Sequence, residues 1–150
     1  MSEKDVHKLF VEYLFSIFDD SVGGLFDKPT GKLEEQNITA LFNTDMSGIR
    51  LPQGLAAQAS KLRSHSGFPD VTLYIRKANY VGFMLELKAP HIKIYKKNGE
   101  LRKCEHLEQQ AKVHKMLTDQ GWFVDFACGI DEAKEILDLY LSLPNYEPGK

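Results

Sequence analysis

The sequence predicts an α/β fold, a mixed β-sheet of about four strands flanked by helices. Three observations carry this. Segments with a helical apolar period alternate along the chain with short runs of β-branched and aromatic residues. Two such runs, 70–76 and 80–88, are separated only by Lys77-Ala78-Asn79, a turn that makes them an antiparallel hairpin. A helical segment, 105–120, then stands between the run at 80–88 and another at 122–127, which is the kind of crossover a parallel pair needs.

The elements follow in order. Residues 4–18, KDVHKLFVEYLFSIF, place Val6, Leu9, Phe10, Tyr13, Leu14 and Phe18 at helical spacing, and Asp19, Asp20 and Gly23-Gly24 end that helix. Residues 25–37 are polar and punctuated by Pro and Gly, as in a loop. ITALFN (38–43) suits a short strand. LPQGLAAQASKLRSHSG (51–67) has Pro near a helix start and Gly67 as its stop. DVTLYIR (70–76) is a strand, and YVGFMLELK (80–88) is so apolar that it reads as a strand covered on both faces. Pro90 ends it, and Lys97-Asn98-Gly99 marks a loop tip. EHLEQQAKVHKMLTDQ (105–120) is a helix closed by Gly121, WFVDFA (122–127) a strand, and DEAKEILDLYLSL a last helix capped by Asp131 and ended by Pro144.

The 150 residues suit one domain over 1–150, and a 43% hydrophobic content is enough for a packed core. No repeats or low-complexity tracts interrupt it. No apolar run approaches the roughly 18 residues of a membrane helix, and the first residues, MSEKDVHKLF, lack the basic-then-apolar order of a signal peptide. The expectation is a cytoplasmic protein without membrane contact. Cys104 and Cys128 have neither metal-ligand spacing nor a disulfide framework.

A net charge of −2 argues against a general polyanion binder, yet the charge is unevenly spread. Residues 1–20 carry five acids against Lys4 and Lys8, and residues 125–150 carry six against Lys134 and Lys150. The middle is reversed: 91–103 holds Lys93, Lys96, Lys97, Arg102 and Lys103 against Glu100, and Lys61 and Arg63 precede the run at 70–76. A basic patch on an acidic protein steers a phosphate backbone to one place. Lys61, Arg63, Lys93, Lys96, Lys97 and Lys103 are therefore the candidate nucleic-acid contacts.

Inside the apolar strand stand Glu86 and Lys88. Residues two apart share a strand face, so these two project together while Leu85, Leu87 and Ala89 take the other side. The hairpin brings Asp70 level with them. Pro69 fixes the backbone before the acid, and Gly67 permits close approach. Burying an ion costs several kcal/mol, and two neighbouring carboxylates repel. Lys88 leaves this trio at net −1. A divalent cation resolves the conflict, and Mg²⁺ favours one or two carboxylates together with water and phosphate oxygens.

At these residues a resemblance enters. Gly67-Phe68-Pro69-Asp70, an apolar strand and Glu86-Leu87-Lys88 resemble the PD-(D/E)XK nuclease superfamily, and more narrowly the VRR-NUC group (virus-type replication–repair nucleases). That group also shows a Lys before the G-x-P-D and a helix with Gln, an aromatic or His, Leu and Gly; here these are Lys61, Gln110, His114, Leu117 and Gly121. The resemblance covers most of the chain. It implies a restriction-endonuclease-like core and a Mg²⁺- or Mn²⁺-dependent endonuclease acting on DNA. Asp70 and Glu86 would hold the metal, with the Leu87 carbonyl completing the ligands and Glu3 reaching a second ion. Lys88 would orient or polarise the attacking water, and Gln110 would hold that lysine or touch the backbone. Asp70, Glu86, Lys88 and Gln110 are thus the implied catalytic set. His7 departs from the family pattern, standing where relatives often carry Gln. Small stand-alone relatives are common in phages and bacteria, so a phage-encoded chain would work in the bacterial host cytoplasm.

On the helix at 105–120, Leu107, Gln110, Ala111, His114 and Leu117 share a face, with His114 expected to be packed and hydrogen-bonded. Val113 and Met116 fall on another side. A helix apolar on two sides must be buried on both, which points to a symmetric homodimer. Such a dimer suits the two strands of a branched substrate such as a four-way (Holliday) junction. Two other functions compete. A non-catalytic accessory module of replication or repair would have no need of carboxylates facing phosphate. A sequence-specific restriction-type nuclease would need a recognition element for which this length leaves little room.

Overall fold

A computed structural model describes residues 1–18, 41–44, 53–54 and 67–149. They form helix α1 (Glu3–Ile17), strands β1 (Leu41–Thr44), β2 (Val71–Tyr74) and β3 (Gly82–Lys88), helix α2 (Glu105–Asp119), strand β4 (Trp122–Cys128) and helix α3 (Ile130–Leu141). The sheet runs β1-β2-β3-β4. The first two pairs are antiparallel and β3 with β4 is parallel, so the expected mixed α/β sheet is present. Residues 19–40, 45–52 and 55–66 lie outside the described set, and with them the expected loop at 25–37 and most of the helix at 51–67. Gln53 and Gly54 of that segment are helical and exposed.

Every residue of β3 is buried, as its unbroken apolar run requires. One face of the sheet presents Val71, Leu73, Phe83, Leu85, Leu87 and Ala127 to Val6, Phe10 and Leu14 of α1 and to Ala133, Leu137 and Tyr140 of α3. Each such large side chain contributes about 1.5–3 kcal/mol by leaving water. The Tyr140 hydroxyl, carried into this core, donates to the Ile75 carbonyl at 2.6 Å. The opposite face meets α2 over a smaller cluster of Ile94, Leu107 and Phe126.

The hairpin turn closes through Tyr80 N–H to the Lys77 carbonyl at 2.8 Å, with Ala78 at φ 48°. Its strands pair Val71 with Leu85 and Leu73 with Phe83. One step further along that register stands Asp70 across from Glu86.

Two expectations change. The N-cap of α3 is Gly129, and Asp131 lies inside the first turn. There it still favours the positive end of the helix dipole without capping it. Val113 is buried with Leu107, Gln110 and His114, while Met116 is 57% exposed. The two-sided burial expected of α2 is therefore met on one side within the chain, because Val113 lies one helical turn from Gln110 on the sheet-facing side. Among the described residues, no helix is long and apolar enough to cross a membrane.

Candidate metal centre and nucleic-acid groove

Asp70 sits in a bend just before β2, where the chain has left the sheet ladder. Gly67, at φ 93°, makes that approach possible: a Cβ there would stand 3.4 Å from the Gln110 Cα and from the Gln109 carbonyl. The segment thus passes against the backbone of α2 and delivers Asp70 to the end of β3. Asp70 Oδ2 accepts the Leu87 N–H at 2.8 Å. An extended residue sends its N–H and C=O to the same strand edge, so the Leu87 carbonyl also lies on the Asp70 side of β3.

Glu86 and Lys88 project from the same face of β3, with Lys88 Nζ 3.8 Å from Glu86 Oε1. Gln110 Nε2 donates to that same Oε1 at 2.6 Å. All four of Asp70, Glu86, Lys88 and Gln110 are buried, at 2–5% exposure. The structure therefore brings together the four residues singled out as a catalytic set.

Glu3 joins them from the far end of the chain. Ser2 and Asp5 form a capping box, Ser2 Oγ accepting the Asp5 N–H at 3.2 Å and Asp5 Oδ2 accepting the Ser2 N–H at 2.9 Å. The first helical residue is thereby fixed although it is near the terminus. The core packing of Val6, Phe10 and Leu14 aims that end of α1 at the end of β3. Carboxylate oxygens of Glu3, Asp70 and Glu86 lie within 4.8 Å of one another.

The electrostatics of this cluster suit a bound cation. Burial, then the Asp70 charge, push the Glu86 carboxyl up to about 9; Lys88 partly offsets this and Glu3 adds to it. With both carboxyls ionised, no donor reaches the buried Glu86 Oε2. A buried acceptor without a donor costs about 1–3 kcal/mol. An oxygen-rich site with one orphaned carboxylate oxygen fits a hard divalent cation such as Mg²⁺ or Mn²⁺.

His114 is packed, as expected. It packs against Phe126 with ring centroids 4.3 Å apart, but its buried Nε2 has no hydrogen-bond partner. Burial, with a smaller effect of the Lys88 charge, pulls it down to about 4, so the ring is neutral. Gln110 Oε1 is likewise buried without a partner.

Beside the carboxylates a groove of about 320 Å³ opens, lined by Glu3 and Lys88 at the site and by Lys93, Arg102, Lys103 and His106 beyond it, with Ile92, Cys104 and Leu107. Of the predicted nucleic-acid contacts, Lys93 and Lys103 line it. Lys96 and Lys97 do not: Lys96 lies 3.9 Å from Glu100 in an ion pair, and both residues are exposed near the tip of the loop. Lys61 and Arg63 lie outside the described residues. Arg102 was missing from the candidate contacts, although its place among the lysines of 91–103 was a signal. His106 lines the groove as well.

No family model matches the sequence, and no curated protein matches it. Among solved structures, the chain is similar to a VRR_NUC domain protein, with a TM-score of 0.59 and 18% identity, over 98% of this chain and 93% of that one. At that identity the likeness is one of fold. The chain takes the fold of a VRR_NUC domain protein, the group that its G-F-P-D and E-L-K residues resemble.

Proposed function

We propose that the chain is a metal-dependent DNA endonuclease that hydrolyses phosphodiester bonds and selects DNA by structure. The observation that carries this is the meeting of Glu3, Asp70 and Glu86 carboxylates within 4.8 Å, with the Lys88 ammonium beside them. Asp70, Glu86 and the Leu87 carbonyl would hold Mg²⁺ or Mn²⁺, with Glu3 completing the site or taking a second ion. A bound divalent cation supplies Lewis acidity and neutralises charge developing on the phosphate.

The side chains divide the remaining work. Gln110 fixes Glu86 by donating to Oε1, which leaves Oε2 as the oxygen that would ligate a cation. Asp70 is held by the Leu87 N–H. Lys88 donates a hydrogen bond where the attacking water and a phosphate oxygen meet, in a dry site where such a donor acts strongly. His114 of α2 packs on Phe126 of β4, and its neutral ring adds no charge. Water attacks phosphorus and gives up a proton to solvent, the P–O bond to the leaving oxygen breaks, and that oxygen takes a proton from solvent. Branched DNA is the favoured partner, and a symmetric pair of chains would cut both strands of a four-way junction. Such an enzyme would act in the cytoplasm, that of the bacterial host if phage-encoded.

The test is cleavage of labelled linear duplex, flap and four-way-junction DNA with Mg²⁺, Mn²⁺ or EDTA, comparing wild type with Lys88→Ala and Asp70→Ala. Metal-dependent cutting that both variants lose is the expected result. Full activity in either variant, with an unchanged fold, overturns the assignment.

A further inference from the structure

We infer that the groove leading from Glu3 and Lys88 past Lys93, Arg102 and Lys103 seats a single-stranded DNA segment adjoining the cleaved bond. This rests on the nuclease reading and narrows its substrate to branched DNA with a free strand next to the scissile phosphate, in preference to a fully paired four-way junction.

Size argues first. About 320 Å³ lies at the low end of the roughly 300–1,000 Å³ of pockets that enclose one small ligand. A space of that scale seats a nucleotide of one strand. The lining argues next. Ile92 and Leu107 give an apolar wall, and cations stand along the same groove. A duplex hides its bases and offers mainly phosphate, whereas a single strand presents both a charged backbone and an apolar base. The lining matches the second.

The pairing of the cations points the same way. Lys93, Arg102 and Lys103 have no carboxylate partner among the described residues, whereas Lys96, outside the groove, has Glu100. Among the described residues, Glu3 is the one carboxylate lining the groove, and it stands beside Asp70 and Glu86. The positive charge is also held in place. Residues 93–102 form a small hairpin in which Arg102 N–H donates to the Ile94 carbonyl at 2.8 Å and Tyr95 bridges Leu101. Ile94 anchors it in the cluster with Leu107 and Phe126. Arg102 Nη1 donates to the Lys93 carbonyl at 3.2 Å, which uses one of five guanidinium donors. The others remain for phosphate.

The experiment measures binding by fluorescence anisotropy in EDTA, so that it does not depend on cleavage. The probes are a single strand, a blunt duplex and the same duplex with a single-stranded arm. Wild type is expected to bind the armed duplex about tenfold more tightly than the blunt one, with a steep salt dependence. Lys93→Ala/Arg102→Ala/Lys103→Ala should lose that preference and lower the salt slope for the single strand by about 2, near 0.7 per lost contact. Lys103→Glu, an exposed residue outside the core, should weaken the preference without touching the hairpin. Lys96→Ala/Lys97→Ala should keep it. Equal binding of blunt and armed duplex, or a preference that survives the triple substitution, overturns the inference. Cleavage with Mg²⁺ is read in parallel on the wild type. If cleavage is absent but the groove-dependent preference is present, the nuclease reading fails and the single-strand site stands.

Discussion

Replacing Glu86 by Gln removes a buried titratable carboxyl while keeping the side chain's shape, and this has an unusual expected consequence for stability. In the metal-free protein the Glu86 carboxyl is raised from 4.5 to about 9 by burial and by Asp70. The folded state therefore holds a proton that the unfolded chain releases near 4.5. This group's contribution to stability is fully present below 4.5 and is lost as pH rises toward 9. One proton gives a slope of about 1.4 kcal/mol per pH unit. His114 acts oppositely, its folded value of about 4 lying below the ordinary 6.5. Its contribution is present above 6.5 and lost as pH falls toward 4. Between pH 6.5 and 8.5 Glu86 therefore acts without that offset, and metal-free wild type should lose roughly 2–3 kcal/mol. At about 2–4 °C per kcal/mol for a chain of this size, Tm falls by roughly 4–12 °C. Thermal unfolding in EDTA at pH 6.5, 7.5 and 8.5 measures this. Glu86→Gln should flatten the decline and be the more stable protein at pH 8.5. Saturating Mg²⁺ should flatten it for wild type, because the cation holds the carboxylate ionised, and should leave Glu86→Gln nearly unmoved. A wild-type Tm that is level from pH 6.5 to 8.5 in EDTA, or a variant with the same slope as wild type, refutes the electrostatic account of the site.

Three further outcomes are expected. Gln110→Leu removes the 2.6 Å donor to Glu86 Oε1, and should weaken Mg²⁺ affinity or activity by about 10–100-fold, read from metal titrations of cleavage. His114→Met removes a buried imidazole held near 4; stability at pH 5 relative to pH 7 should improve by roughly 2 kcal/mol in denaturant melts, and an unchanged acid dependence would show that His114 is not the acid-sensitive group. Gly82→Ala places a Cβ against the Trp122 ring at Cζ3 and 3.1 Å from the Leu73 carbonyl oxygen. Overpacking there should cost about 1–3 kcal/mol, visible as a lower Tm with the metal response intact.

Much of the fold is decided locally. The strand period puts Glu86 and Lys88 on one face and Leu85 and Leu87 on the other, whatever surrounds them. A three-residue turn forces an antiparallel hairpin, and a helical crossover forces the parallel pair. These follow from backbone geometry, so the order and pairing of β2, β3 and β4 could be read from residues 70–128, and Asp70 could be placed opposite Glu86. Gly67 and Gln110 could be marked because their residue types carry specific consequences: a positive φ and a donor on the buried side of a helix.

What sequence spacing could not decide depends on how one element meets another. Glu3 reaches Asp70 and Glu86 because Val6, Phe10 and Leu14 dock α1 across the sheet and Ser2 fixes its first turn; those partners stand 67 and 83 positions further along the chain. The side of α2 that takes Val113 depends on its rotation over β3 and β4, which one heptad of apolar residues leaves undetermined. Lysines in 91–103 look equivalent in the sequence, yet the hairpin anchored by Ile94 turns Lys93, Arg102 and Lys103 toward the groove and leaves Lys96 and Lys97 outside it. Periodicity is a property of a segment and determines which residues share a face. Convergence is a property of packed segments, and here the tertiary structure alone decided which carboxylates and which cations meet.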